Sequence, residues 1–227
     1  PLDLSITKNV FSLLLAGFIL CLIFMSVARS YKRNKGAPRG LTSFMEPLVL
    51  FVRDDIARPQ IGDRYERYMP FLLTIFFLIW LLNLMGLVPF FPFSANVSGN
   101  IAFTLTLAVL SLFVVQFSAN KHYWKHIFAP NPWWLWPILF PIELASNLVI
   151  KFFALMIRLF ANITAGHIIV LSLISLIFIF KNVAMAGLAV PFALFISILE
   201  LLVAALQAFI FTMLTALFIG QATAEHH

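Results

Sequence analysis

The sequence predicts an all-α membrane protein: about five transmembrane or membrane-embedded helices plus a short interfacial helix, with the last two long helices strongly tilted and packed as a hairpin. Three observations carry this. The 227 residues are 62% hydrophobic and 11% charged, with a mean hydropathy of +1.00, beyond what a soluble domain keeps in water. The apolar residues, 26 phenylalanines among them, fall in runs long enough for bilayer-crossing helices, not in the short alternating strands of a barrel. Two C-terminal apolar stretches are too long, as helices, to stand upright in a bilayer. The whole chain, 1–227, reads as one membrane domain. Its single cysteine, Cys21, lies inside an apolar run, which excludes a disulfide framework or a thiolate metal cluster, and no cofactor is expected. The net charge of +6 reflects membrane orientation, not nucleic-acid binding.

Taken in order, the first span is VFSLLLAGFILCLIFMSVA, 10–28. A basic cluster of Arg29, Lys32, Arg33, Lys35 and Arg39 follows, and with Arg53, Arg58, Arg64 and Arg67 it holds most of the Lys and Arg residues of the chain. Positive residues stay on the cytoplasmic or matrix side, so the N-terminus is outside. Residues 42–60 mix apolar positions with Glu46, Arg53, Asp54, Asp55 and Arg58, which suits a helix lying at the interface with its charges wetted. The second span is 69–90 and ends in the Pro-rich outer turn FPFSANVSGN. The third, 101–117, returns to Lys121, His122, Lys125 and His126 inside, and PNPWWLWP marks a headgroup-level anchor.

Residues 133–180 supply further membrane helix. From Glu143 to Phe180 there is no proline and one glycine, Gly166. A continuous helix there would be roughly 55 Å long, against about 30 Å of hydrocarbon. It is therefore either broken near Gly166 or strongly tilted by packing against a partner. The last run, 184–220, has the same excess length, and a short turn around Lys181 joins the two. His226 and His227 are an exposed tail.

Polar residues inside these runs are too costly in lipid to be filler. At about 100° per residue, Asn147, Lys151 and Asn162 lie within about 40° of Arg158 and Glu143 within about 60°, a polar stripe, while His167 projects to the opposite side. Glu200 and Gln207, seven apart, share a face of the last helix, with Thr215 on roughly the same side. Arg158 suits either a structural ion pair or a fixed positive charge in an ion path, because guanidinium stays protonated and can ionise a carboxylic acid without carrying its proton. Lys151 is placed to snorkel toward the basic side. Asn162 can bridge helices. His167 is either a satisfied hydrogen-bonder or, with Glu200, a proton relay. Gln207 is neutral and can orient Arg158 or a water. No phosphate cradle, nucleophile with its base or acidic metal triad appears.

MIRLFANITAGH, ILELLVAALQAFIF, NLMGLVPF and SANVSGNIAFTLTLAV together closely resemble subunit a of the F-type ATP synthases, over nearly the whole chain. The resemblance implies a non-catalytic stator subunit that forms two offset proton half-channels against a ring of c subunits. Such a subunit couples proton flow to ring rotation, and ATP chemistry is on other subunits. It implies as partners the c-ring, the peripheral-stalk b subunits, the other synthase subunits and the lipid bilayer. It places the chain in an energy-transducing membrane, bacterial inner membrane before mitochondrial. Arg158 then matches the essential arginine facing the ring carboxylate, and Asn162 and Gln207 its polar neighbours. His167 and Glu200 match the outer half-channel pair, with the carboxylate and histidine exchanged relative to many bacterial members. Glu143, Asn147 and Lys151 match the inner half-channel loosely in spacing. An ion-coupled secondary transporter is the alternative, although the two matching halves usual for one are missing from the sequence.

Overall fold

With no water in the hydrocarbon to satisfy N–H and C=O groups, a chain this apolar must close its backbone hydrogen bonds within helices. The computed structural model describes residues 8–33, 40–87, 100–120, 150–180 and 183–223, and all regular structure among them is helical. The helices are α1 (Lys8–Arg33), α2 (Leu41–Phe51), α3 (Arg58–Ile61), α4 (Tyr65–Leu87), α5 (Ile101–Ser118), α6 (Lys151–Phe180) and α7 (Val183–Thr223). A π-helical stretch, Val52–Ala57, joins α2 to α3, and a 3₁₀ turn, Gly62–Arg64, joins α3 to α4. The basic loop residues Lys35 and Arg39, the cluster from Lys121 to His126, the tryptophan-rich anchor, Glu143 and Asn147 lie outside the described residues, as does the outer turn apart from Asn100.

The charged segment after α1 does more than lie on a surface. Val52, Ile56 and Ala57 are fully buried in protein, while Asp54, Asp55 and Arg58 face outward. The wider π-helical turn lets positions four and five apart point inward together. On the outer side Arg53 donates to both carboxylate oxygens of Asp54, at 2.9 Å each, and Arg58 donates to Asp54 Oδ1 and to Tyr65 Oη, both at 3.3 Å. Exposed ion pairs of this kind add little stability; they hold the α3–α4 corner in one geometry. Gly62, at φ 75°, makes the bend itself, a conformation that costs other residues more.

α4 is the central post, packed against both α1 and α7. Its Leu72, Ile75 and Ile79 are at most 2% exposed and form one core with Val52, Ile56, Phe211, Ala216 and Ile219. α5 packs on α6 and α7, started by Asn100, whose side chain accepts from the Ala102 N–H at 2.9 Å as an N-cap should.

α6 runs through Gly166 without interruption, so the broken alternative is removed. Its 30 residues and the 41 of α7 amount to about 45 and 60 Å of helix. α7 even accommodates Pro191, which cannot donate to the carbonyl one turn before it. The two halves of α7 differ. Ala208, Phe211, Thr212, Thr215 and Ala216 have no exposed surface, whereas Phe192, Leu194, Phe195, Ile198 and Leu202 are more than half exposed.

Two contacts hold the buried end. A Cβ added to Gly220 would fall on the carbonyl oxygen of Gln60, so only glycine lets α7 lie directly against α3. Asn120 closes the last turn: its backbone N–H donates to Ala222 O at 2.9 Å, and its Nδ2 to Thr223 O at 2.8 Å. Terminal helix carbonyls need such partners. Gly220→Val is therefore expected to destabilise the fold by about 1–3 kcal/mol through overpacking, seen as a lower unfolding midpoint of the purified chain in detergent. An unchanged midpoint would mean that α3 and α7 do not meet there.

Candidate functional site

Glu200 and Gln207 lie at the boundary between the exposed and buried halves of α7. Glu200 is partly buried and Gln207 is 2% exposed; at about 100° per residue they and Ala204 share a face about 60° wide. α6 comes back along this face, joined to α7 through 181–182 and packed against it. The contact that fixes their register is between Gly166 and Glu200: a Cβ on Gly166 would occupy the space of the Glu200 carboxylate and of Cγ. The missing side chain at 166 is what admits the carboxylate to the α6 backbone.

That register places the other positions. His167 immediately follows Gly166, so the imidazole-bearing residue and Glu200 belong to the same level of the hairpin. Arg158 is eight residues before Gly166, and Gln207 seven after Glu200. In an antiparallel pair those steps run the same way, about 12 and 10.5 Å at 1.5 Å per residue, so Arg158 and Gln207 stand level with one another. Asn162, halfway between Arg158 and Gly166, stands level with Ala204. Lys151, Arg158, Asn162 and His167 are placed along this pair by the backbone of α6, of which Lys151 is the first residue. Glu143 and Asn147 lie outside the described residues. The hairpin thus forms two polar levels, one of Arg158 with Gln207 and one of His167 with Glu200, separated by about two helical turns.

Among the nearby hydroxyls, Thr164 Oγ1 of α6 is buried without a hydrogen-bond partner among the described residues, while those of α7 and α5 are occupied. Thr212 and Thr215 donate to Ala208 O and Phe211 O at 2.8 and 2.9 Å, and on α5 Ser111 donates to Leu107 O at 3.0 Å. These bonds let serine and threonine sit in apolar helices at little cost, and they leave Thr215 satisfied within its own helix.

Asn83 is a residue that the sequence reading did not single out. It is 2% exposed and its Nδ2 donates to Ala204 O at 3.2 Å, tying α4 to α7 between the two polar levels. The available signal was its chemistry: an amide inside an apolar span is expensive enough to be flagged. That it reaches α7 could not be read from spacing, since the two residues are 121 positions apart.

The chain matches the family described as ATP synthase A chain over residues 10–220. It is 50% identical over 231 residues to ATP synthase subunit a of Chlorobium phaeobacteroides (strain BS1), covering 98% of this chain and 67% of that one. It is 49% identical to ATP synthase subunit a 2 of Prosthecochloris aestuarii, covering 98% and 70%. To ATP synthase subunit a of Myxococcus xanthus it is 42% identical, covering 100% and 75%.

Gly166→Ala should displace the Glu200 carboxylate and cost about 1–3 kcal/mol of stability. In a chain already carrying Glu200→Ala the same change should cost close to nothing, because the colliding atoms are gone. A double-mutant cycle on thermal unfolding in detergent measures this coupling. Additive effects would show that the two residues do not touch.

Proposed function

The chain belongs to the ATP synthase A chain family, and on that premise we propose that it is the stator subunit that passes protons between two offset half-channels and the c-ring of a rotary synthase. It is a multi-pass membrane protein whose partners are other ATP synthase subunits; the c-ring and the peripheral-stalk b subunits are the partners proposed here. A bacterial plasma membrane is the proposed location, in keeping with the bacterial relatives. The observation that supports this most is the register set by Gly166 and Glu200, since it separates a titratable level from a permanently charged one by about two turns.

A ring carboxylic acid arriving from lipid meets Arg158, whose fixed charge favours the ionised form, and its proton leaves along one aqueous path. After a small rotation the empty carboxylate is refilled from the other path. His167 and Glu200 hand protons along the outer path, since an imidazole and a carboxylate can each take up and release a proton whereas a guanidinium keeps its own. Gln207, neutral and level with Arg158, orients it, with Asn162 as a polar neighbour. The inner path is assigned to the face of α6 that begins at Lys151 and continues to Asn147 and Glu143. Arg158 repels protons between the paths, and this barrier keeps flow coupled to rotation. The drive is about 2.3 kcal/mol per charge per 100 mV of membrane potential.

The exposed apolar face of α7, Phe192 to Leu202, with that of α6, is the surface proposed to lie along the ring. Helices of about 45 and 60 Å cannot stand upright in about 30 Å of hydrocarbon, so this pair is proposed to lie inclined across the membrane.

Arg158→Ala is expected to abolish ATP-driven pumping and to open a passive proton leak in the assembled complex. Arg158→Lys should damage coupling almost as much, because an ammonium is a point charge that deprotonates when desolvated. Proton flux in vesicles with equal amounts of complex measures both. Normal coupled pumping in either variant would overturn the gating role. Glu200→Gln should slow proton-driven synthesis by about tenfold or more without a leak, and an unchanged rate at saturating driving force would leave Glu200 outside the path.

A further inference from the structure

A cavity of about 550 Å³ opens beside the corner where the charged segment turns into α4. Asp63, Arg64, Glu66 and Arg67 line it from that corner, Asn120 from the end of α5 and Thr223 from the end of α7. Thr223 is sixteen residues beyond Gln207, about 24 Å along the helix, so the cavity is separate from the polar levels of the hairpin. The hydrogen bonds of Asn120 to Ala222 O and Thr223 O hold two of its walls together.

Its depth in the membrane follows from α5. The 18 residues of that helix make about 27 Å, close to the thickness of the hydrocarbon, and the cavity lies at its C-terminal end, level with the headgroups. This is the basic side, to which Arg53, Arg58, Arg64 and Arg67 all belong. Two guanidinium groups and two carboxylates line the cavity, and their charges sum to zero. Asp63 and Arg67 are four positions apart, the spacing at which helical acids and bases ordinarily pair. Asp63, Glu66 and Arg67 nevertheless form no ion pair among the described residues, whereas Arg53 and Arg58 nearby both reach Asp54. Charges of both signs held apart around one cavity fit a ligand that carries both signs itself.

The rim adds a second requirement. Phe117, 87% exposed, lines the cavity mouth and stacks on Phe113 with ring centroids 6.1 Å apart. At four-residue steps the exposed ridge continues through Val109 and Leu105 to Ile101, along the length of α5. A charged cavity that runs into an apolar ridge suits a ligand with a polar head and a hydrocarbon tail.

We propose that this cavity holds the headgroup of a phospholipid of the phosphatidylethanolamine class. Arg67, with Arg64 beside it, binds the phosphate; Asp63 and Glu66 accept hydrogen bonds from the ammonium, and an acyl chain lies along the α5 ridge. Guanidinium matches phosphate oxygens as a two-pronged donor, and a primary ammonium has three N–H groups to offer the carboxylates. A choline headgroup has the same charges without those donors, a glycerol headgroup has no cation, and inorganic phosphate has neither cation nor chain. The bound lipid joins the entry of α4 to the ends of α5 and α7, and so stabilises the fold by mass action.

The full-length chain, stripped of lipid in detergent, is offered equal amounts of dioleoyl phosphatidylethanolamine, phosphatidylcholine and phosphatidylglycerol. Native mass spectrometry counts the lipid retained. The ethanolamine lipid should exceed each of the others by about tenfold, the order expected when hydrogen bonds to a charged group distinguish them. Arg67→Ala should lower its retention by about tenfold, while Arg53→Ala, outside the cavity, should leave it within about twofold. Asp63→Asn combined with Glu66→Gln should turn the preference toward phosphatidylglycerol, an outcome that misfolding does not produce. Equal retention of the three lipids, an unaltered preference in the acid variant, or equal losses in Arg53→Ala and Arg67→Ala would each overturn the proposal. Glycerophosphoethanolamine, the headgroup without chains, should displace the lipid only in large excess; displacement at equal concentration would assign the cavity to a soluble phosphate ester and remove the lipid. If a variant fails to fold, the preference of the wild-type chain decides.

Discussion

With only hydrogen on its Cα, Gly220 lets the backbone of α7 rest directly on the Gln60 carbonyl, and the rest of the architecture follows from that end being fixed. A helix of 41 residues is about twice as long as the hydrocarbon is thick, so it cannot be positioned by lipid alone. Here α3, α4 and α5 grip its C-terminal half, and Asn120 holds its last carbonyls. The N-terminal half projects from this grip and carries α6 along it. The proposed stator surface needs such an anchorage, because every displacement of the anchored end is carried along a rigid helix.

Polarity is distributed with the same economy. Buried hydroxyls on α5 and α7 return their hydrogen bonds to their own helices, which leaves the packing faces effectively apolar. Amide and ionisable groups cannot do this. Asn83 of α4 and Glu200, beside Gly166 of α6, meet on α7 with Gln207 two turns after Glu200, at the boundary between the anchored and projecting parts of α7. A polar group in that position is reachable from the exposed face yet held by the core. The proposed proton route needs both properties, since an acid fully in lipid would stay neutral and one fully in water would hold no potential difference.

Gly166 has a different task from Gly220. Its missing Cβ admits a side chain, the Glu200 carboxylate, where Gly220 admits a backbone carbonyl. In both places a smaller residue moves α7 closer than an alanine would allow, so the hairpin register and the anchorage are each set by steric permission. Attractive groups do the rest: the amide of Asn83 fixes α4 against the same helix, one turn from the carboxylate.

The sequence by itself determined the helical class, because hydropathy and run length leave an apolar chain few ways to satisfy its backbone. It also marked Arg158, Asn162, His167, Glu200 and Gln207, since charges and amides inside apolar runs stand out by their desolvation cost alone. Periodicity within one helix put Glu200 and Gln207 on one face. It could not say which level of α6 meets which level of α7, because that register depends on a contact made across the hairpin by a residue with no side chain. Nor could it reveal that Val52, Ile56 and Ala57 are core, as a charged segment has the same pattern whether its apolar side meets lipid headgroups or protein. Asn83 and Asn120 were visible as letters only; their partners lie 121 and 103 residues away, and pairings at that separation are decided by packing in three dimensions, where local propensity has no reach.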